Sequence, residues 1–553
     1  MATPNTAEAA QGLTTFEETE YTTITEGQAT ILFPRNNEVF YNPVQQFNRD
    51  MSIAAIRTWR DIAQEERWAR SLKKGYSQAV ATGKTGEEVP PATAEEARAA
   101  GESAPRFKPK ILEALAASGL RSVRYAREIP DLDHILCNDL EVEAVKSIQR
   151  NLKYNGISEE LVVPNKGDAK AFMYQHTEPS QHYHVVDLDP YGSAAPFLDG
   201  AIQCVADGGL LCITCTDMQV LAGTNFPETT FSKYGGASLR ADFCHEMALR
   251  LLLGTLLRSA AVQRRSIQPV LSLSIDFYIR IFVRVHDRPV DAKLTATKSS
   301  LVYLCHGCHD YVLQPMGRVS DDLKKFSVAQ SVVPGACAQC GRGWHVGGPI
   351  YNGPLHDAAF VSSMLGHVKS NADAYGTAKR MEGMLTVVSE EIHAPLYRSL
   401  RELTSGVAST SMSLSDIGSA LLNAGYAFSL THACPTGIKT DAPSAFIWDL
   451  MRAHVARQTT PAKDQPEGSV AAAIRAQPGS GSVIDWTYNK LSNPPSRKIK
   501  LTRFQENPTK NWGPKARAGK KRPADGELKQ PKTERKRARG AEGNAAGPET
   551  AEP

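Results

Sequence analysis

The sequence predicts an α/β fold, a parallel sheet with helices on both faces. Three observations predict it. Short apolar, strand-like runs alternate with helical stretches between residues 111 and 215, an acid closes three successive runs, and a Ser-Gly turn joins the first run to the first helix. Such alternation gives parallel strands joined by right-handed crossovers. Open sheets of this kind bind ligands at the carboxyl ends of their strands.

Residues 1–27 are polar and are expected to be a flexible N-terminus, and 29–33 form a short apolar run. The turn Phe40-Tyr41-Asn42-Pro43 leads to a helix from 51 to about 72, where Ile53, Ile56, Trp59 and Ile62 recur near helical spacing. Residues 73–108 are rich in Ala, Glu, Gly, Lys and Pro, and a disordered insertion is expected there. The sheet pattern then begins: a strand at 111–115, a helix to 128, a strand at 135–139, a helix at 141–154 stopped by Asn155-Gly156, and a strand at 161–163. A fourth strand runs to Asp189, Gly208-Gly209 introduces a fifth at 210–215, a helix covers 238–257, and the partial alternation over 271–285 supplies the closing strands.

His184-Val185-Val186-Asp187-Leu188-Asp189-Pro190-Tyr191-Gly192 reads as a buried strand stopped by proline, which has no N–H to continue a ladder. Asp189 then lies at the ligand-binding edge, with Tyr191 two places on. A carboxylate, a proline-flanked carbonyl and an aromatic face suit the exocyclic amine of a base: the oxygens accept its hydrogens and the ring stacks. The plain alternative is an Asp-Pro turn after a core strand.

Gly119 stands alone in the first turn, short of a dinucleotide fingerprint, which argues against a dinucleotide oxidoreductase. Asp139 lies 20 residues later at the end of the second strand. An acid there reaches ribose hydroxyls, and it also suits a helix cap. Asp168, with the Ala169 backbone beside it, suits an adenine amino group. Three acids at three successive strand ends point to a nucleoside ligand.

Glu113-Ala114-Leu115-Ala116-Ala117-Ser118-Gly119-Leu120-Arg121-Ser122-Val123-Arg124-Tyr125, followed by Asp187-Leu188-Asp189-Pro190-Tyr191-Gly192, resembles the tRNA (guanine-26, N2)-dimethyltransferases. Phe40–Pro43 with Phe47-Asn48-Arg49-Asp50, Lys233-Tyr234-Gly235-Gly236, and the segment from His432 to Pro443 resemble further blocks of that family. The resemblance covers about residues 27–490 apart from 73–108. It implies a class I, Rossmann-like S-adenosylmethionine-dependent methyltransferase domain over 28–290, and a largely helical, zinc-containing, tRNA-binding domain over 291–495. It implies Arg49, Arg121, Asp139, Asp168 and Ala169 as S-adenosylmethionine contacts, a guanidinium fork suiting the cofactor's carboxylate. Asp189, Tyr191 and Phe40 would act on the base. The implied reaction puts two methyls, one at a time, on the exocyclic 2-amino group of guanine 26 in tRNA. On the residues alone, an amino-methyltransferase for another nucleic acid and a non-catalytic RNA-binding scaffold stay open.

Cys305-x-x-Cys308 and Cys337-x-x-Cys340 are two knuckles 28 residues apart. Paired knuckles point to a tetrahedral structural zinc, over a spacer longer than the usual zinc-ribbon range, and the alternative is reduced thiols in a loop or a vestigial site without metal. His306, His309 or His345 could replace one thiolate. Cys212 and Cys215 make no such pair, because side chains three apart in a strand point to opposite faces. His245-Glu246 lacks the second histidine of a zinc-protease helix, since position 249 is Leu.

Residues 355–455 read as mostly helical. A helix at 413–423 followed by a hairpin over 427–443 suits a winged nucleic-acid-binding unit, with Lys439 as a phosphate contact; the alternative is an ordinary packing hairpin. From 496 the chain is expected to be a basic, disordered tail. Between Arg497 and Arg539 it holds 16 Lys and Arg against 4 Asp and Glu, so with a whole-chain charge of +4 the rest is net acidic. Lys520-Lys521-Arg522-Pro523 and residues 532–539 resemble a two-part nuclear import signal and can also screen phosphates. A nuclear protein that meets the import machinery is expected, with a mitochondrial pool left open. No apolar run approaches a membrane span, no secretory leader is recognisable, and 10 cysteines in 553 residues suggest a reducing compartment with metal.

Overall fold

The computed structural model describes residues 11–34, 41–82, 89–223, 225–458, 465–479, 481–499 and 502. Phe40 and the basic stretch from 503 onward, tail motifs included, lie outside the described residues.

The chain opens with a three-stranded antiparallel sheet, β1 (Gln11–Phe16), β2 (Thr19–Glu26) and β3 (Ala29–Pro34). Order over 11–27 differs from the expected flexible start. The run Thr19–Glu26 is rich in β-branched residues and Tyr, which favour strands even in a polar segment. Asn151 and Asn155 then pin β3, accepting from the Leu32 and Thr30 backbone N–H groups at 2.9 and 3.1 Å.

Helix α1 (Gln46–Ala81) runs well past residue 72, and α2 (Ala94–Ala99) follows. The expectation of a disordered 73–108 is corrected over its described residues. Residues 73–82 and 89–108 are described, with α2 closed by a Thr93/Glu96 capping box and its Ala97 buried. Low apolar content there reflects a helix that needs little core, with Arg98 over the Trp68 ring at 5.1 Å.

The central sheet follows: β4 (Lys110–Glu113), α3 (Leu120–Glu128), β5 (His134–Asp139), α4 (Val142–Tyr154), β6 (Val162–Lys166), α5 (Ala169–Gln175), β7 (Tyr183–Leu188), α6 (Leu198–Cys204), β8 (Val205–Cys215), α7 (Met218–Leu221), α8 (Pro227–Tyr234), α9 (Cys244–Val262), β9 (Ser266–Ile275) and β10 (Tyr278–His286). The seven strands lie in the order β6-β5-β4-β7-β8-β10-β9. β6, β5, β4, β7 and β8 are parallel, and β10 runs antiparallel to both neighbours. The order reverses direction at β4, so the edge between β4 and β7 is the switch point where ligands bind. Cys212 and Cys215 fall in separate apolar clusters on the two faces, as their spacing requires.

Beyond the sheet come α10 (Pro289–Ala292), β11 (Ser299–Cys305), β12 (Tyr311–Pro315), β13 (Gly317–Val319), β14 (Phe326–Val328) and β15 (Trp344–Tyr351). This stretch, which carries the cysteine pairs, is β-structure within the largely helical domain expected over 291–495. Helices dominate the remainder as expected: α11 (Ala358–Ser370), α12 (Ala378–Glu390), β16 (Arg398–Ser399), α13 (Leu400–Gly406), α14 (Leu414–Asn423), β17 (Phe428–Leu430), β18 (Gly437–Thr440), α15 (Ser444–Ala456), α16 (Val470–Ala476) and α17 (Pro495–Lys498). α11 and α12 share one apolar core with α1 and a face of the central sheet. Asp50 on α1 accepts from the Thr377 N–H and hydroxyl at 2.9 and 2.6 Å. The chain from 291 onward therefore completes the packing of the first half. Part of the expected tail is also built in, since Ser496 N donates to Glu390 at 2.9 Å. No helix among the described residues is long and apolar enough to cross a membrane.

Candidate active site

Two loops meet at the carboxyl edge of the sheet. The first leaves β4 through Ala114–Gly119. Ala117 has φ +51° and Gly119 φ +74°, and a Cβ on Gly119 would meet Ile148 at 3.1 Å, so glycine is needed both for the turn and for the approach of α4. Asp139 holds this loop: one carboxylate oxygen accepts from Ala117 N at 2.8 Å and the other from Glu141 N at 3.0 Å. Buried Asn138 ties three strand ends, donating to Ala114 O at 2.9 Å and Gly167 O at 3.1 Å. Asp168 caps α5, accepting from Lys170 N at 2.7 Å and Ala171 N at 3.2 Å through one oxygen, and Ala169 is buried beside it. Below the loop, burial pushes the Glu113 carboxyl up to about 8 against the opposing bond from Ser122, so it is largely protonated at neutral pH.

The second loop is Asp189-Pro190-Tyr191-Gly192. Thr216 clamps it to the end of β8: Gly192 N donates to Thr216 Oγ1 at 2.8 Å, and Thr216 N donates to Gly192 O at 2.9 Å. Ser193 Oγ lies 2.6 Å from the Tyr234 hydroxyl, which donates to Asp217 at 2.8 Å. Tyr191 is 54% exposed at this lip.

Asp189 is half-buried and accepts a charge-assisted bond from Arg121 Nη2. Beneath it lies a buried polar cluster. Arg280 Nη1 donates to Asp187 at 2.9 Å and to Thr214 Oγ1 at 2.9 Å, its Nη2 donates to Ser52 Oγ at 2.8 Å, and Tyr125 donates to Asp187. Burial alone would raise the Asp189 carboxyl, but the guanidinium charges of Arg121 and Arg280 outweigh it and hold it below the usual carboxylate range. Asp189 is therefore an ionised acceptor at neutral pH.

The structure thus brings Arg121, Asp139, Asp168, Ala169, Asp189 and Tyr191 to one sheet edge. Arg49 is buried one helical position from Asn48, and its fork clamps Glu26 at 2.7 and 2.6 Å. Sequence reasoning missed Ser52, Thr214 and Arg280. The available signal was an arginine in mid-strand between Ile279 and Ile281, since a charge at such a buried position is kept only with partners.

Away from this edge, the Sγ atoms of Cys305, Cys308, Cys337 and Cys340 all lie within 4.8 Å of one another, and all four residues are buried. The Cys305–Cys340 and Cys308–Cys337 distances are 3.3 and 3.6 Å, close to the edge of a tetrahedron with Zn–S bonds of ~2.3 Å. Gly307 N donates to Cys305 Sγ at 3.4 Å, as suits a thiolate. The nearby histidines are engaged elsewhere: His309 pairs with Glu402 at 2.8 Å, and His306 accepts from Gly343 N at 3.1 Å. His345 is exposed.

His356, Glu391 and His432 also converge, buried. Their surroundings do not suit a metal. The Glu391 oxygens already meet Lys439 Nζ at 2.9 Å, His432 Nδ1 at 2.7 Å, His432 N at 3.1 Å and Thr431 Oγ1 at 3.2 Å. Lys439 also pairs with Glu246 at 3.1 Å, which pairs with Arg250 at 2.8 Å. Two acids and two cations balance, leaving no charge for an ion to neutralise. Lys439 is only 2% exposed, so the expectation that it contacts phosphate is corrected: its hairpin packs inward. His432 Nε2 accepts from Ser274 N of β9 at 3.2 Å.

A seven-stranded sheet of this order, with a glycine turn after its central strand and acids at neighbouring strand ends, defines a class I methyltransferase of the kind that takes S-adenosylmethionine. The family profile "TRM: N2,N2-dimethylguanosine tRNA methyltransferase" matches residues 19–452, and the chain belongs to this family. It is 44% identical to the tRNA (guanine(26)-N(2))-dimethyltransferase of Schizosaccharomyces pombe over 90% of this chain and 93% of that one. The human protein of the same name is 41% identical over 93% of this chain and 81% of its own length. The Saccharomyces cerevisiae relative, whose name adds "mitochondrial", is 40% identical over 90% and 92%. Among solved structures, the chain is similar to Trm1 from Pyrococcus horikoshii in complex with S-adenosyl-L-methionine. The TM-score is 0.59 at 25% identity, over 77% of this chain and 99% of that one.

Proposed function

We propose that this protein transfers two methyl groups, one at a time, from S-adenosylmethionine to the exocyclic 2-amino nitrogen of guanine 26 in tRNA. The observation that carries the reading is the Asp189–Gly192 edge, where an ionised carboxylate stands beside an exposed aromatic ring on a methyltransferase sheet. S-adenosylmethionine, when bound, supplies a methyl on a positively charged sulfur. Asp139 suits its ribose hydroxyls, Asp168 and the Ala169 backbone its adenine, and Arg49 and Arg121 its carboxylate. The strand-end placement of the acids supports the first two roles; the arginines are named by the resemblance, and in this structure they hold Glu26 and Asp189. With Asp139→Ala, S-adenosylmethionine affinity is expected to fall by ~1.5–3 kcal/mol as a charged acceptor is lost; calorimetry giving wild-type affinity removes the assignment.

Asp189 accepts a hydrogen of the guanine amine and turns its lone pair toward the methyl. A carboxylate holds about four lone-pair sites, and Arg121 occupies one, so acceptors remain. Because Arg121 and Arg280 make the carboxylate a weak base, it works first by positioning. As the N–C bond forms, the methyl–sulfur bond would break with its electron pair left on sulfur, and the amine proton, strongly acidic once the nitrogen carries the methyl, then passes to the Asp189 carboxylate. Tyr191 stacks on the base, which must leave its helix to reach this edge. Phe40 is the sequence's candidate for the other face.

The function is tested with methyl-labelled S-adenosylmethionine, the full chain, and tRNA or tRNA carrying adenine at position 26. Label is expected in N2-methyl- and N2,N2-dimethylguanosine from the first substrate alone. Label in another nucleoside, or in ribosomal RNA or DNA but not tRNA, sinks the reading.

The four buried thiols support a structural zinc that joins the knuckle at the end of β11 to the one before β15, in one cluster with apolar residues of α13 and α15. Replacing Cys305 and Cys308 together by serine is expected to release one zinc per chain and lower the unfolding midpoint. Elemental analysis that finds no zinc in the wild-type protein refutes it. For the basic stretch we propose nuclear import and added tRNA affinity. Truncation after Thr502, which spares α17, is expected to lose nuclear accumulation and keep methylation; a truncated protein that still concentrates in the nucleus rules out the import role.

A further inference from the structure

We propose that Thr214 is a positioning residue for methyl transfer: its hydroxyl, held by Arg280 and Asn48, fixes the plane of the Asp189 carboxylate that receives the guanine amine. The inference rests on the role given to Asp189 above. It starts from strand register. β7 and β8 pair in parallel with Leu188 beside Ile213, so the next residues, Asp189 and Thr214, are neighbours at the sheet edge. On the other side Thr214 is the antiparallel partner of Arg280. Alternation points Thr214 to the same face as Cys212, the face covered by α1, where Asn48 and Ser52 lie.

Hydrogen-bond counting then decides where the Thr214 proton goes. A hydroxyl has two acceptor lone pairs and one donor. Oγ1 receives Arg280 Nη1 at 2.9 Å and Asn48 Nδ2 at 3.3 Å, so both acceptor sites are taken. The hydroxyl hydrogen is left to donate, and the register sets the Asp189 carboxylate beside it at the sheet edge as the acceptor we infer. Thr214, Asn48, Ser52 and Arg280 are all fully buried, so water does not compete for these bonds. Ser52 Oγ, itself bonded to Asn48 O at 2.7 Å, receives Arg280 Nη2 at 2.8 Å and Arg121 Nη1 at 3.2 Å. The two arginines are thereby braced by one hydroxyl, Arg121 grips Asp189, and in the proposed arrangement Thr214 is its second donor. A carboxylate held by two fixed donors cannot rotate, and its remaining lone pairs point to one place.

Thr214→Val removes the donor at nearly constant shape, and Thr214→Ser keeps it. With Thr214→Val, kcat is expected to fall about tenfold, the worth of one charge-assisted hydrogen bond, with KM for tRNA and S-adenosylmethionine affinity near wild type. Loss of a bond that favours the charged carboxylate also lets the Asp189 pKa rise. The acidic limb of the kcat–pH profile should therefore move to higher pH in Thr214→Val and stay in place in Thr214→Ser. A purely structural role would lower the melting temperature without moving that limb. Wild-type kcat and an unmoved limb in Thr214→Val, or equal impairment in Thr214→Ser, overturns the inference. Asp189→Ala in the same assay separates the two layers: if it is inactive while Thr214→Val is normal, only this inference falls, and if it is active, the role of Asp189 falls with it.

Discussion

Asp189→Ala is expected to lower kcat by about 10²–10⁴-fold, the range spanned by a positioned proton acceptor, while S-adenosylmethionine still binds. The size follows from what the side chain does. The guanine 2-amino lone pair is delocalised into the ring, so an acceptor that draws on an N–H localises it. Binding survives because Asp139 and Asp168 stand at other strand ends and are held by the backbone N–H groups of Ala117, Glu141, Lys170 and Ala171, not by Asp189. The fold survives as well. Arg121, released from Asp189, retains Ser52 at 3.2 Å and Asp187 at 3.9 Å. The measurement is single-turnover methylation of tRNA beside calorimetry of cofactor binding. A variant that methylates at the wild-type rate would falsify Asp189 as the acceptor.

Much of this edge was legible in the sequence because its signals are local. A β-branched run into Asp-Pro-Tyr-Gly, a Ser-Gly turn and an acid 20 residues further on each express a strand end or a turn within a few residues. The support beneath Asp189 was not legible, because it is assembled across the fold. Ser52 comes from α1, Thr214 from β8 and Arg280 from β10, with up to 228 residues between partners. The same distinction explains Lys439. A lysine near a hairpin tip suggests phosphate when only its neighbours are read, and its two acids, Glu246 and Glu391, are supplied by elements far away in the chain. Residues 73–82 and 89–108 misled for a related reason: helical stretches with little core have the composition of a disordered segment, and their order depends on caps and on contacts such as Arg98 with Trp68.

Lys439→Ala is expected to destabilise the protein by ~3–5 kcal/mol, the cost of leaving a buried carboxylate without its cation. Glu246 would keep Arg250, so Glu391 bears the loss. Burial pushes the Glu391 carboxyl up, and Lys439 and His432 together hold it well below the usual range. Without the ammonium it must either ionise unpaired or take a proton that its bond from His432 Nδ1–H opposes. If that charge imbalance is the cause, removing the acid too should repair it. Lys439→Met combined with Glu391→Gln is expected to recover much of the lost stability, since a buried pair replaced by neutral groups of similar shape is often nearly neutral. Chemical denaturation of the single and double variants measures this. The phosphate-contact alternative makes the opposite forecast: an unchanged unfolding midpoint, weaker tRNA binding, and a salt dependence reduced by roughly one counterion. A buried Lys439 leaves the salt dependence of tRNA binding where it was, because a side chain closed between two carboxylates has no phosphate counterion to release.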